Sequence, residues 1–104
     1  MRAVPFAMTL MIVGCAGGPL LAADAENGRT LAERWCVGCH VVSDQQSKGT
    51  DIAPSFASIA ERTDFNEEKL AFFLLEPHPK MPSMALSRIE AKNLSAFIAE
   101  QKRP

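Results

Sequence analysis

Two cysteines and a histidine crowd into five residues at Cys36-Val37-Gly38-Cys39-His40, and this cluster constrains the fold more than anything else in the chain. The chain has 104 residues, which bounds it at one domain. A domain of this size buries a marginal core and usually needs a staple. A disulfide between thiols three positions apart would close only a tiny loop and stabilise little. A group held by Cys36, Cys39 and His40 together would be a better centre for a small core.

The N-terminal stretch shortens the folding part further. Met1 and Arg2 precede an uncharged, mostly apolar run to Val13, and small residues follow as far as Ala23-Asp24-Ala25. A positive start, an apolar middle and an A-x-A end are the layout of a secretory signal peptide. The expectation is a signal peptide over residues 1–25 and a mature domain over 26–104. A retained membrane helix fits less well, because Gly14, Gly17, Gly18 and Pro19 interrupt a run already short for a span. Ile12-Val13-Gly14-Cys15 resembles the lipobox of bacterial lipoproteins, in which lipidation of Cys15 would leave residues 16–25 as a tether. The expected location is the bacterial periplasm, with a membrane-anchored lipoprotein facing the periplasm as the alternative.

Removing Arg2 from the 11 basic residues and Asp24 from the 12 acidic ones leaves a formal charge of −1 on the 79 mature residues. No basic excess invites nucleic acid. Strand signals are nearly absent: Val41-Val42 is the only β-branched pair of the mature part and the chain has no Tyr. Helical signals recur four times. Leu31, Ala32 and Trp35 share a face in residues 26–36, and Trp35 is expected in the core, with a place against the edge of the group held by Cys36 and Cys39 as the alternative. Residues 54–61 suggest a short helix with Pro54 in its first turn. Asn66 is a plausible cap for a helix over 66–75, with Glu67 and Glu68 in its first turn and Leu70, Phe73 and Leu74 on its apolar face. Ser87-Arg88-Ile89-Glu90 is a capping box. It opens a last helix whose expected apolar side is Ile89, Leu94, Phe97 and Ile98, with Lys102 and Arg103 in its last turn. The segments 41–53 and 76–86 are too rich in Gly, Pro and Ser for helix, and two such loops need something to pack on.

C-x-x-C-H is the signature of c-type haem attachment. Two thiols add across the two haem vinyl groups, and the adjacent imidazole is placed under the iron as an axial ligand. Cys36 and Cys39 are therefore the expected covalent attachment points for one haem c, and His40 the first iron ligand. A thioredoxin-like redox pair would need a βαβ context, and structural zinc would need four ligands in a recognisable spacing. Only Cys36, Cys39, His40 and His78 are on offer in the mature part, and neither pattern is present. For the sixth position the residues leave Met81 and Met84 open, both in the loop stiffened by Pro77, Pro79 and Pro82, with His78 as a third candidate.

With these residues in view, the mature chain resembles a class I c-type cytochrome, of the bacterial short mono-haem kind, over essentially its whole length. The resemblance implies an all-α fold of three to four short helices wrapped around one covalent haem, with the N- and C-terminal helices crossing. Gly28, eight residues before Cys36, stands where the family lets the first helix approach the last, and Phe97 stands where the family has the aromatic it crosses. Leu31 matches the family's apolar residue five before the first cysteine. Met81-Pro82-Ser83-Met84-Ala85-Leu86-Ser87-Arg88-Ile89-Glu90 matches the family pattern M-P-x-x-x-[LV]-S-x-x-E, whose first Met binds iron. The resemblance thus implies Met81 as axial ligand, with Met84 as the alternative. It also implies that the carbonyl of Pro54 accepts a hydrogen bond from the other ring nitrogen of His40, which fixes the ring.

The implied function is one-electron transfer without catalysis, with redox proteins docking transiently at the haem edge and membrane contact only if Cys15 is lipidated. Alternatives from other classes are a cytochrome c subunit of a periplasmic dehydrogenase, a haem sensor or peroxidase with a labile Met ligand, and a thiol oxidoreductase if no haem is attached.

Overall fold

The structure is a computed structural model and describes residues 2–5, 7, 9–12, 14, 22–76 and 78–104. Cys15, the cysteine of the expected lipobox, lies outside the described residues, as does Pro77. Four helices follow in chain order: α1 (Ala25–Trp35), α2 (Phe56–Ala60), α3 (Glu67–Leu75) and α4 (Arg88–Glu100). No strand occurs among the described residues, and no helix among them is long and apolar enough to cross a membrane.

Each helix begins at a side-chain cap that satisfies an otherwise orphaned backbone donor. Asp24 caps α1, Ser55 caps α2, Asn66 caps α3 and Ser87 caps α4. At α4 the capping box is complete: Glu90 N–H donates to the Ser87 hydroxyl at 3.1 Å and Ser87 N–H donates to the Glu90 carboxylate at 2.9 Å. Three expectations shift in detail. The α1 cap lies at Asp24, so the helix extends across the boundary expected at residue 25. Pro54 falls one residue before the cap of α2 and not within its first turn, because Ser55 has the free hydroxyl that can take the Ser58 N–H. Lys102 and Arg103 lie past the end of α4, and Arg103 grips Glu61 at the end of α2 through two side-chain bonds of 2.8 Å.

All three other helices pack on α4, and α1 crosses it most intimately. The core gathers Ala32, Phe56, Ala60, Leu94, Phe97 and Ile98, all buried. Burying each of the large side chains contributes about 1.5–3 kcal/mol. The crossing is possible because Gly28 has no side chain: a Cβ there would stand 2.6 Å from the Asn93 carbonyl carbon and 2.8 Å from Phe97 Cβ. Arg29 then lays its guanidinium over the Phe97 ring, 5.6 Å from the centroid. Ile89, expected on the apolar side, is 65% exposed, and the buried side of α4 begins instead at Ala91. Trp35 is 52% exposed and does not fill the core, as the core face of α1 is taken by Gly28, Leu31 and Ala32.

Candidate functional site

The site begins where α1 ends. Cys36 N–H still donates to Ala32 at 2.8 Å, and His40 N–H donates to the Cys36 carbonyl at 2.9 Å, so 36–40 continues as one turn. In such a turn residues three and four apart lie on one side. Cys36, Cys39 and His40 therefore share a side, which explains why the two linking positions can be Val37 and Gly38. Both thiols are free; Cys36 is buried and Cys39 exposed. Burial, and then the neighbouring Cys39, pushes the Cys36 thiol up to about 11. A thiol that stays protonated at neutral pH is a weak attacking group in disulfide exchange.

The loop after the motif is built to hold His40. Ala53 N–H donates to the Cys39 carbonyl at 3.0 Å and Phe56 N–H to the Val41 carbonyl at 2.9 Å. These two bonds bracket Pro54 and set its carbonyl against Nδ1 of His40, at 2.5 Å. A carbonyl can only accept, so Nδ1 carries the proton and Nε2 keeps its lone pair. Phe56, almost wholly buried, lies against the imidazole with ring centroids 5.3 Å apart. Gln46 fills the loop from inside, accepting from Val42 N–H at 2.9 Å and donating to the carbonyls of His40 at 3.3 Å and Lys48 at 2.8 Å. Nothing in the sequence marked Gln46, because a glutamine in a polar loop carries no pattern of its own.

The sixth-ligand candidates stand on the loop between α3 and α4. Met81 and Met84 are both half-buried, and Met84 packs against the core cluster. Ala85 has φ 48°, a left-handed residue that turns the chain between Met84 and Leu86. His78 is engaged elsewhere: its ring stacks on Phe73 with centroids 3.8 Å apart, and its Nε2 donates to the Phe73 carbonyl at 2.5 Å. The stacked pair also explains why Phe73 is 51% exposed while Leu70 and Leu74 turn toward the core.

These residues fit a haem. Two thiols share one turn, an imidazole offers its free Nε2, thioethers are on offer from a second loop, and Ile59, Phe65, Leu70, Leu74 and Leu86 form a partly covered apolar rim around the core. Soft and imidazole donors of this kind suit a haem iron. The comparisons agree with the chemistry. The cytochrome c family model matches residues 25–102. Cytochrome c-552 of Bradyrhizobium diazoefficiens is 54% identical over 89 residues, which is 86% of each chain.

Proposed function

The chain belongs to the cytochrome c family, an electron-carrier family with covalent haem c, and on that premise we propose that it is an exported, periplasmic one-electron carrier with a His40–Met81 haem. Cys36 and Cys39 would hold the haem through thioethers, and His40 and Met81 would be the side chains that bind its iron. The observation that carries this reading is the bond from His40 Nδ1 to the Pro54 carbonyl, which leaves Nε2 as the one ring atom able to donate to iron.

When bound, the haem supplies the ferric/ferrous couple. The protein's own work is to keep that couple closed to substrate and steady in geometry. Pro54 orients the imidazole and Phe56 backs it, so the ring has no room to swing when the iron charge changes. Met81 is favoured over Met84 because Met84 already packs against the core, and over His78 because that imidazole is bound to Phe73. With His40 and Met81 both given to the iron, no position would be left for a substrate, and the haem would supply one-electron chemistry to redox proteins that dock in small transient interfaces. Export is supported by the leader-like residues 1–25 and by the attachment chemistry, which the periplasm accommodates.

The test is the absorption spectrum of the holoprotein recovered from the periplasmic fraction. The ferric wild type shows the weak far-red Met-to-iron band, Met81→Ala abolishes it, and Met84→Ala retains it. Loss of the band in Met84→Ala alone would refute the assignment. A denatured chain that fails a haem stain would refute covalent attachment at Cys36 and Cys39.

A further inference from the structure

Three of the hydrogen bonds at the junction between leader and domain would be missing from a domain that began at Glu26. The Asp24 carboxylate accepts from Asn27 N–H at 3.1 Å, and the Asp24 carbonyl accepts from Gly28 N–H at 3.1 Å. Asp24 N–H donates to Asn93 Oδ1 at 2.7 Å, and Asn93 Nδ2 donates to Asn27 Oδ1 at 3.0 Å. Asn93 is only 7% exposed, and its partners come from 66 and 69 positions away in the chain. Ala25 packs on the core cluster. Asp24 thus belongs to the domain as its helix cap and as one half of a clasp between α1 and α4. Ala22 and Ala23, by contrast, are exposed and outside any helix.

We infer that the export cut falls after Ala22 or Ala23, so that the mature protein begins at Ala23 or Asp24 and keeps the Asp24–Asn93 clasp. The inference rests on the export reading above. The A-x-A pattern at Ala23-Asp24-Ala25 favours a cut two residues later, but Ala22 and Ala23 also supply the small residue that the peptidase needs. The peptidase reads an extended chain, so what separates the choices is which start leaves the more stable folded domain. Starting at Glu26 strips partners from the N–H groups of Asn27 and Gly28 and from Asn93 Oδ1. Gly28 is buried against α4, where water cannot readily replace the lost acceptor. A cut after Ala22 or Ala23 leaves every one of these bonds in place, because the Asp24 nitrogen remains a donor either as an amide or as the new α-amino group.

The test begins with the full chain, expressed in a bacterium together with haem-attachment machinery. Intact mass and N-terminal sequencing of the haem-bearing protein are expected to give a start at Ala23 or Asp24. A start at Glu26 would overturn the inference, as would a start at a lipidated Cys15, which leaves export standing. A chain still beginning at Met1 would overturn the export reading itself. A second measurement checks the physical reason. Holoproteins made to begin at Asp24 or at Glu26 behind one foreign leader should differ in melting midpoint by about 4–8 °C, with the Glu26 form lower. Asn93→Ala should lower the midpoint of the Asp24 form more than that of the Glu26 form. Equal midpoints for the two starts would refute the clasp.

Discussion

Gly28→Ala is the sharpest probe of the fold. In an ordinary helix this change would stabilise by up to about 1 kcal/mol, because alanine has the higher helix propensity. At this position the new Cβ would stand 2.6 Å from the Asn93 carbonyl carbon and 2.8 Å from Phe97 Cβ. Carbon atoms prefer separations of about 3.5–4.0 Å, and the Asn93 carbonyl oxygen stands nearer still, so α1 and α4 must part by roughly 1 Å or more. Neither obstacle is the free end of a flexible side chain, so no rotamer change relieves the clash. Separation loosens Ala32, Leu94 and Phe97, each at most 1% exposed, and stretches the Asp24–Asn93 bond. Overpacking of this kind costs about 1–3 kcal/mol. Because the clash is with backbone and Cβ atoms, the upper part of that range applies, and after the propensity gain a net loss of about 2 kcal/mol remains. For a domain of this size that lowers the melting midpoint by about 8–16 °C. Thermal unfolding of the oxidised holoprotein, followed by far-ultraviolet circular dichroism and by the Soret band, measures it. A midpoint unchanged or raised would refute the argument that Gly28 is selected by the helix crossing.

Two more outcomes follow from the helix ends. Ser87→Ala removes the hydroxyl that takes Glu90 N–H and should cost about 1 kcal/mol, read as a midpoint about 4–8 °C lower; an unchanged midpoint would show that the capping box is idle. The Arg103 side chain and backbone N–H hold the Glu61 carboxyl down at about 2, against an ordinary 4.5. A carboxyl depressed by folding stabilises fully above its unfolded value and loses that contribution as pH falls toward the folded value. Wild type should therefore exceed Glu61→Gln in stability at pH 6, with the gap closing between about pH 4.5 and 2. A gap constant across that window, in paired melts of the two proteins, would refute the ion pair.

Local signals carried much of the fold. The capping box at Ser87–Glu90, the Asn66 cap with its acidic first turn and the periodicity of Leu94, Phe97 and Ile98 depend on residues within a few positions of one another. The same holds for Cys36-x-x-Cys39-His40, whose geometry is one turn of chain. By themselves these residues determined an all-α domain with a haem-attachment turn. Sequence patterns misjudged burial at Ile89, which is largely exposed, and Trp35 lies outside the protein core, which leaves its alternative place at the edge of the haem. Periodicity says which residues share a face; it cannot say how far a neighbouring helix extends.

The remaining contacts join partners far apart in the chain: family resemblance anticipated Gly28 against Phe97 and Pro54 against His40, and tertiary structure supplied their geometry and the other partners. Gly28 has an ordinary place in a helix until Asn93 and Phe97 arrive against it. The tautomer of His40 depends on a carbonyl 14 residues away, delivered by a loop that Gln46 fills and two backbone bonds close. Asp24 reads as the tail of a leader in sequence; in the structure it caps α1 through Asn27 N–H, and the Asn93 side chain, 69 residues later, takes its backbone N–H. Sequence determined which groups can bind a haem; the crossing of α1 and α4, partners more than 60 residues apart, decided how the chain is held around them.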